Sequence, residues 1–577
     1  MDLNCSQIIT SGDYYDYIAA YTPYLYNMLS YTPGVCVNNI DNQWLVINYE
    51  GDGSIGVSTS GYIEIPKLFT LTDTSSIDAS GITQVHNQPV LNLLGRGVLI
   101  GFIDTGIDYL NPIFQYARGL SKIDAIWDQT IQSPDSNPSD NPYKYGTVYT
   151  NSQINDAIAA SLAGDDPYAI VPSKDDNGHG TFIAGIAAGG ADKSAGFTGA
   201  APDASIAMVK LKPAKKYLRD FFLINDEAVA FQENDIMTGM QFLKDTANAK
   251  GKPLVICIGL GSSSGPHNGG TPLAAYANDL ARQAGIGVVC SMGNEGNARH
   301  HFSGIKPAFE DYATVELSVS DNEKGFVLEL WADRPEMFSI SIVSPTGELI
   351  PRIPARRTEQ SSVIDFVFEQ TRLYIDYQNV ESLSGNQLIF MRFIKPTGGI
   401  WKINVHGLSG LSGEFDMWLP VTAFLTGDVH FVRPSPDTTL TQPATAFSVI
   451  SAGAYDHLTG GIYIANGRGP TSDGRLKPDI VAPGVNVYGP SADGGYTYMT
   501  GTSVAAAHVA GAAALIFAWD IRSKPATYLS STNLKTTLVR GARRAATRSY
   551  PNNEWGYGIL DLYNSFEQMR LHRVGGR

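Results

Sequence analysis

The feature that most constrains this chain is a set of short, uninterrupted apolar runs, of which Leu254-Val255-Ile256-Cys257-Ile258 is the purest. A strand with one wet face alternates apolar and polar residues, whereas a strand covered on both faces is apolar throughout. Val98 to Ile103, Ser205 to Leu211 and Gly287 to Ser291 repeat the pattern, with Ala-rich stretches between them. The expectation is an α/β fold, a parallel sheet flanked by helices.

That texture starts near Gly97 and is interrupted once. Between about Pro307 and Pro443 the apolar residues alternate with polar ones, as in Phe338-Ser339-Ile340-Ser341-Ile342 and Trp401-Lys402-Ile403-Asn404-Val405. Period-two alternation separated by Gly and Pro turns predicts an all-β module. The buried α/β texture then resumes from Ala446 to Leu562, so the β module reads as an insertion. The first 80 or so residues are polar and rich in Tyr, and the Asp, Thr and Ser run from Thr72 to Ser80 sets them apart as a small α+β unit. The expected division is 1–84, 85–306, 307–443 and 444–577.

With 577 residues and 43% hydrophobic content, the chain can bury several cores. A formal net charge of -15 argues against nucleic acid or an anionic membrane as the main partner, since both need clustered Lys and Arg. The first basic residue is Lys67, so no signal peptide with a positive amino-terminal region can be drawn, and a cytoplasmic or spore-associated location is expected. Val504 to Trp519, the most apolar stretch, contains His508 and is expected to be a buried helix rather than a membrane span. Cys5, Cys36, Cys257 and Cys290 lack the spacing of a disulfide scaffold or a zinc site, and all four are expected to be reduced.

Four residues have the character of catalytic groups, and each also has a plainer reading. Asp104 ends the strand Val98 to Ile103, where open α/β sheets place functional groups, although an Asp before Thr-Gly is commonly a turn residue. His179 lies in Asn177-Gly178-His179-Gly180-Thr181 at the start of a helical stretch, accessible on both sides but equally tolerable as a loop residue. Ser503 precedes the Ala-rich helix from Val504; it could be a helix cap, or a nucleophile whose developing oxyanion lies at the positive end of that helix. Asn294, in Gly293-Asn294-Glu295-Gly296 beyond a strand, could form a turn or donate its amide to an oxyanion.

Taken together, a carboxylate, a base, an amide donor and a nucleophile in the order Asp, His, Asn, Ser resemble the subtilisins, whose Asp, His, Ser order differs from those of chymotrypsin-like proteases and α/β-hydrolases. The likeness runs from Gln84 to about Leu562 apart from the β insertion and a long segment after Asp104. It includes Lys477-Pro478-Asp479-Ile480-Val481-Ala482-Pro483-Gly484 before the nucleophile, and Gly259-Leu260-Gly261, the edge that such enzymes pair with the substrate backbone. Where the family usually has Met, Ala, Ser, Pro after the nucleophile, this chain has Val504, Ala505, Ala506 and Ala507; no catalytic group is lost. The loop Gly189 to Thr198, where many relatives bind calcium, carries Lys193 and no evident set of oxygen ligands, so neither a metal nor any other cofactor is expected. Gly259, Gly261 and Gly265 do not make a dinucleotide fingerprint, because Ser264 stands where the third glycine belongs.

The leading unit, the segment after Asp104 and the insertion together look most like the clostridial Csp germination proteases. That resemblance implies a jelly-roll insertion and, as protein substrate, the pro-form of a spore cortex-lytic hydrolase. Because subtilisins begin their mature domain shortly before a segment like Gly81-Ile82-Thr83-Gln84-Val85, the amino-terminal unit is expected to be a propeptide that assists folding and is cut by the enzyme between Thr72 and Val85, with the bond after Gln84 favoured; the Csp resemblance implies that the cut piece stays bound as an inhibitor. The alternatives are a subtilase with another substrate, or a catalytically weak sensor like the pseudoprotease members of that group.

Overall fold

The computed structural model describes residues 5–51, 61–71, 76–116, 119–132, 142–355, 360–407, 411–523 and 529–575. At its centre is an eight-stranded sheet in the order Ile480–Pro483, Ile450–Tyr455, Ile286–Ser291, Leu254–Ile258, Leu99–Asp104, Ser205–Lys210, Ile123–Asp128, Thr147–Thr150. Only the last pairing is antiparallel. Alternate side chains of each strand enter different cores, which is why the strands read as unbroken apolar runs. Ile100, Phe102, Val255 and Cys257 face the helices His179–Ala188 and Thr502–Ser523, whereas Leu99, Ile103, Leu254 and Ile256 face Glu233–Lys250 and Pro272–Ala281. Leu254 pairs with both Leu99 and Ile286, so the carboxyl ends of three central strands lie side by side, at Asp104, Ile258 and Ser291.

The helix Thr502–Ser523 is, among the described residues, the one long and apolar enough to cross a membrane by length and composition, yet it is buried within the fold. It lies behind the sheet because small alanines let it approach closely; a Cβ on Gly511 would come within 2.3 Å of that of Ala200.

The amino-terminal residues form an antiparallel sheet, Tyr14–Ala20, Trp44–Glu50 and Cys36–Asn39, with the helices Cys5–Thr10 and Pro23–Ser30. Here the expectation of four reduced cysteines is corrected. Cys5 and Cys36 form a disulfide across a separation of 31 residues, their Cα atoms 5.3 Å apart. The helix–strand contact that joins them is invisible in residue spacing. Cys257 and Cys290 are free and buried, and burial raises both thiols, that of Cys290 to about 12, so neither supplies a thiolate.

The insertion comprises a six-stranded and a five-stranded antiparallel sheet, running from His301–Lys306 to Val429–Phe431 and packed around one core. The alternation expected for a sheet with a wet face is absent from Gly325–Ala332, where every residue is buried. Phe326, Leu328 and Leu330 fill the space between the two sheets, while Val327 and Trp331 meet Leu218, Phe221 and Phe222 of the α/β unit and Tyr62 of the amino-terminal unit. Glu329 is held in this three-way junction by Tyr62 Oη at 2.6 Å, Gly265 N at 2.9 Å and Trp331 Nε1 at 2.9 Å. Burial raises the pKa of its carboxyl, opposed by those hydrogen bonds.

Candidate active site

Asp104, His179 and Ser503 come from three places in the sequence and meet at the carboxyl edge of the sheet. His179 Nδ1 is 2.8 Å from Asp104 Oδ1, and its Nε2 is 3.0 Å from Ser503 Oγ. A carboxylate only accepts, so Nδ1 carries the proton and the lone pair of Nε2 is left for the Ser503 hydroxyl. Asp104 and Ser503 are fully buried and His179 is 3% exposed, so the hydrogen bonds among them are poorly screened by solvent.

The backbone around the three groups explains why the local sequence is what it is. Gly180 sits where a Cβ would be 2.1 Å from the carbonyl oxygen of Gly106, so a glycine allows the His179 helix to close on the Asp-Thr-Gly turn. At Gly259 a Cβ would be 3.0 Å from Ser503 Cβ and 3.3 Å from His179 Cε1, crowding both nucleophile and base.

Asp175, Thr105, Thr181, Thr502 and His508, to none of which the sequence assigned a supporting role, hold the arrangement. Asp175 accepts from Gly178 N at 2.9 Å and Thr105 Oγ1 at 2.8 Å with one oxygen, and from Thr181 N at 2.8 Å and Thr181 Oγ1 at 2.7 Å with the other. It thereby ties the first turn of the His179 helix to the residue after Asp104. Thr105 Oγ1 also accepts from Gly180 N at 3.0 Å, and Thr105 N donates to Asp104 Oδ1 at 2.8 Å. The signal was present as an Asp four residues before a helix-initiating His, but the same pattern occurs at many helix starts.

Thr502 fixes Asn294. Its N–H and Oγ1 lie 3.2 and 3.3 Å from Asn294 Oδ1, and Oγ1 accepts from Gly293 N at 3.0 Å. The amide oxygen is therefore committed to the helix terminus, which leaves Nδ2, a donor, as the other polar atom of the side chain. His508, one turn along the helix, has Nδ1 2.8 Å from Val504 O and accepts from Ser76 N at 2.5 Å with Nε2. Burial lowers its pKa to about 3, so it is neutral and anchors Ser76, on the far side of the strand Leu68–Leu71 from the start of the chain.

Leu260–Gly261 pairs antiparallel with Leu68–Leu71, Leu260 opposite Leu71 and Gly261 opposite Thr70. On its other side Leu68–Leu71 pairs with Phe231–Gln232, so the end of the amino-terminal unit is the central strand of a three-stranded sheet beside the nucleophile. Gln84 is not brought there; it is exposed on the helix Ile82–Asn87, which packs against Leu562–Gly575. Thr72 to Ser75, within the expected cleavage interval, lie outside the described residues.

The chain matches the profile of the subtilase family over residues 95–323 and 426–558, more than half its length. It is 24% identical over 502 residues to the PI-type proteinase of Lactococcus lactis subsp. cremoris, covering 80% of this chain and 24% of that protein. Against subtilisin-like protease SBT3.6 of Arabidopsis thaliana it is 25% identical over 503 residues, covering 80% of this chain and 61% of the relative. The chain thus spans about a quarter to three fifths of the length of these curated relatives. The solved structure of the CspB protease of Clostridium perfringens superposes with a TM-score of 0.74 at 33% identity, covering 86% of this chain and 97% of that one. The family-specific segments matched, 95–323 and 426–558, contain Asp104, His179, Asn294 and Ser503 and leave out most of the β insertion, and the chain belongs to the subtilase family.

Proposed function

We propose that the protein is a serine endopeptidase in which Ser503 is the nucleophile, His179 the general base and Asp104 the group that orients it. The observation that carries this reading is His179 bridging Asp104 and Ser503 through its two ring nitrogens at 2.8 and 3.0 Å. His179 takes the Ser503 proton as Oγ attacks the scissile carbonyl, then passes it to the leaving amine; water hydrolyses the acyl-enzyme by the same route. Asn294 Nδ2 and the Ser503 N–H at the helix terminus stabilise the oxyanion.

The amino-terminal unit is proposed to be a propeptide that this site cuts and that stays bound. Its last described strand occupies the edge Gly259-Leu260-Gly261, where a substrate would pair by main-chain hydrogen bonds, and this supports a cut ahead of Gln84, close after Leu71. By resemblance to the Csp proteases, the external substrate is proposed to be the pro-form of a spore cortex-lytic hydrolase. The test is mass spectrometry of wild-type protein beside Ser503→Ala. Two fragments in the first and one intact chain in the second is the expected result, and an intact wild-type chain that hydrolyses peptides would overturn the propeptide reading.

A further inference from the structure

A substrate paired in the register of Leu68–Leu71 brings the residue after the Leu71 position to Gly259, where a Cβ would lie 3.0 Å from Ser503 Cβ. That residue's carbonyl faces Ser503, and its side chain must pass between the two segments flanking the nucleophile, Gly259-Leu260-Gly261 and Met292-Gly293-Asn294. At both Gly261 and Gly293 the nearest side chain is that of Thr441. A Cβ on Gly261 would meet Thr441 Oγ1 at 2.3 Å and Thr441 Cβ at 2.9 Å, and a Cβ on Gly293 would meet Thr441 Cγ2 at 2.4 Å and Oγ1 at 2.7 Å. Thr441 therefore lies against both glycines, which are bare because it is there. It is held by its own backbone, with Thr441 N donating to Met292 O at 2.9 Å and Ala444 N donating to Thr441 O at 3.1 Å.

The second observation concerns its hydroxyl. Thr441 is 1% exposed, and Oγ1 is a buried polar atom with no hydrogen-bond partner among the described residues. A buried hydroxyl without a partner is unfavourable, so such groups in folded proteins are usually paired. This one lies in the gap between Gly261 and Gly293, beside the segment with which a substrate would pair.

Resting on the protease reading above, we propose that Thr441 is the floor of the recess for the side chain preceding the scissile bond, and that it restricts this side chain to a small residue bearing a hydroxyl. A bulky side chain is refused because Thr441 already occupies the gap between Gly261 and Gly293. A Ser or Thr is preferred over Ala because it gives Oγ1 a partner. In the chain itself the residue that follows Leu71 is Thr72, a residue of this class.

The test uses the full-length protein and peptides Phe-Thr-Leu-X-Asp-Thr in which X is Thr, Ser, Ala, Leu or Phe. Wild type is expected to cleave after Thr or Ser with kcat/KM about 10²-fold above Phe, the size of discrimination a filled pocket gives. Thr441→Gly is expected to raise kcat/KM for X = Phe about 10-fold or more and to erase the advantage of Thr over Leu. Thr441→Ala, which keeps the Cβ and its packing, shifts the same ratios less. Thr441→Val should keep the bar against Phe but remove the preference for Ser over Ala. Equal cleavage after Phe and Thr by wild type, or unchanged ratios in both enlarging variants, overturns the assignment of Thr441. Diisopropyl fluorophosphate separates this from the wider reading, because it modifies Ser503 without using the recess. Modification of Ser503 with no discrimination among peptides overturns the inference alone, whereas neither modification nor hydrolysis overturns the protease reading and this inference together.

Discussion

Replacing Asp16 by Asn should loosen the amino-terminal unit from the α/β unit by an amount that depends on pH in a defined way. Asp16 is fully buried, and three nitrogen donors converge on its two oxygens: Lys215 Nζ at 2.8 Å, Gln232 Nε2 at 2.6 Å and Asn48 Nδ2. Asn keeps the shape but has a single acceptor, so either orientation of its amide sets an N–H against another N–H. It also leaves the Lys215 ammonium, 7% exposed, without its counter-charge. Burial already lowers the pKa of Lys215 from its ordinary 10.5, and Asp16 is the main group opposing that shift. Breaking such a pair from one side costs about 3–5 kcal/mol. An independent ceiling follows from deprotonation: shedding the proton at pH 7 costs Lys215 about 1.4 kcal/mol per unit over roughly 3.5 units, or about 5 kcal/mol. The sign is then fixed. In the variant the folded-state pKa of Lys215 falls further below that of the unfolded chain, so the deficit is greatest at low pH. It shrinks by about 1.4 kcal/mol for each unit of rising pH between the folded-state pKa of Lys215 in the variant and that in the parent, both below 10.5. Urea unfolding of Asp16→Asn against its parent, both in a Ser503→Ala background to prevent cutting, should give a large deficit at pH 7 and at most about half of it at pH 9.5. A deficit below about 0.5 kcal/mol at pH 7, or one equal at both pH values, would refute the reasoning.

Two further outcomes follow from the site. Asn294→Ala should leave KM close to wild type and lower kcat by about 10² to 10³-fold, a magnitude established for such a donor in subtilisin; a change confined to KM would assign Asn294 to substrate binding instead. His508 has a folded pKa of about 3, depressed from its ordinary 6.5, so its contribution to stability is complete above 6.5 and is lost as pH falls toward 3. At pH 5 that loss is about 2 kcal/mol. The drop in urea midpoint between pH 7.5 and pH 5 should accordingly be smaller in His508→Leu than in wild type, and identical drops would contradict the neutral assignment.

The legible parts of this protein were those in which one short segment sets one property. Leu254 to Ile258 reads as a strand covered on both faces because five consecutive apolar residues have no other use in a sheet, and the structure covers both faces. Asp104, His179, Asn294 and Ser503 could be picked out as candidates because each carries its own local signature, and the order of the four is distinctive even though each alone is ambiguous. What stayed hidden depends on segments far apart in sequence. The Cys5–Cys36 disulfide needs a helix laid on a strand, and the bond from Ser76 N to His508 spans more than 400 residues. Gly325 to Ala332 belongs to a module read from period-two alternation, yet all eight of its residues are buried, because Tyr62 and Phe221 arrive from two other units to cover its second face. The position of Thr441 was beyond reach for the same reason, since its neighbours Gly261 and Gly293 are brought to it by two different strands of the central sheet.

The central claim is that Ser503 is a nucleophile activated by His179. Its most direct test is reaction of the native full-length protein with a fluorophosphonate probe, followed by peptide mapping of the modified residue. The account predicts stoichiometric modification at Ser503 in wild type, none in Ser503→Ala, and a rate reduced by several orders of magnitude in His179→Ala, because without the base the hydroxyl keeps its ordinary, weakly nucleophilic state. Native protein that resists the probe, or a label found on another serine while peptide hydrolysis persists, would contradict it.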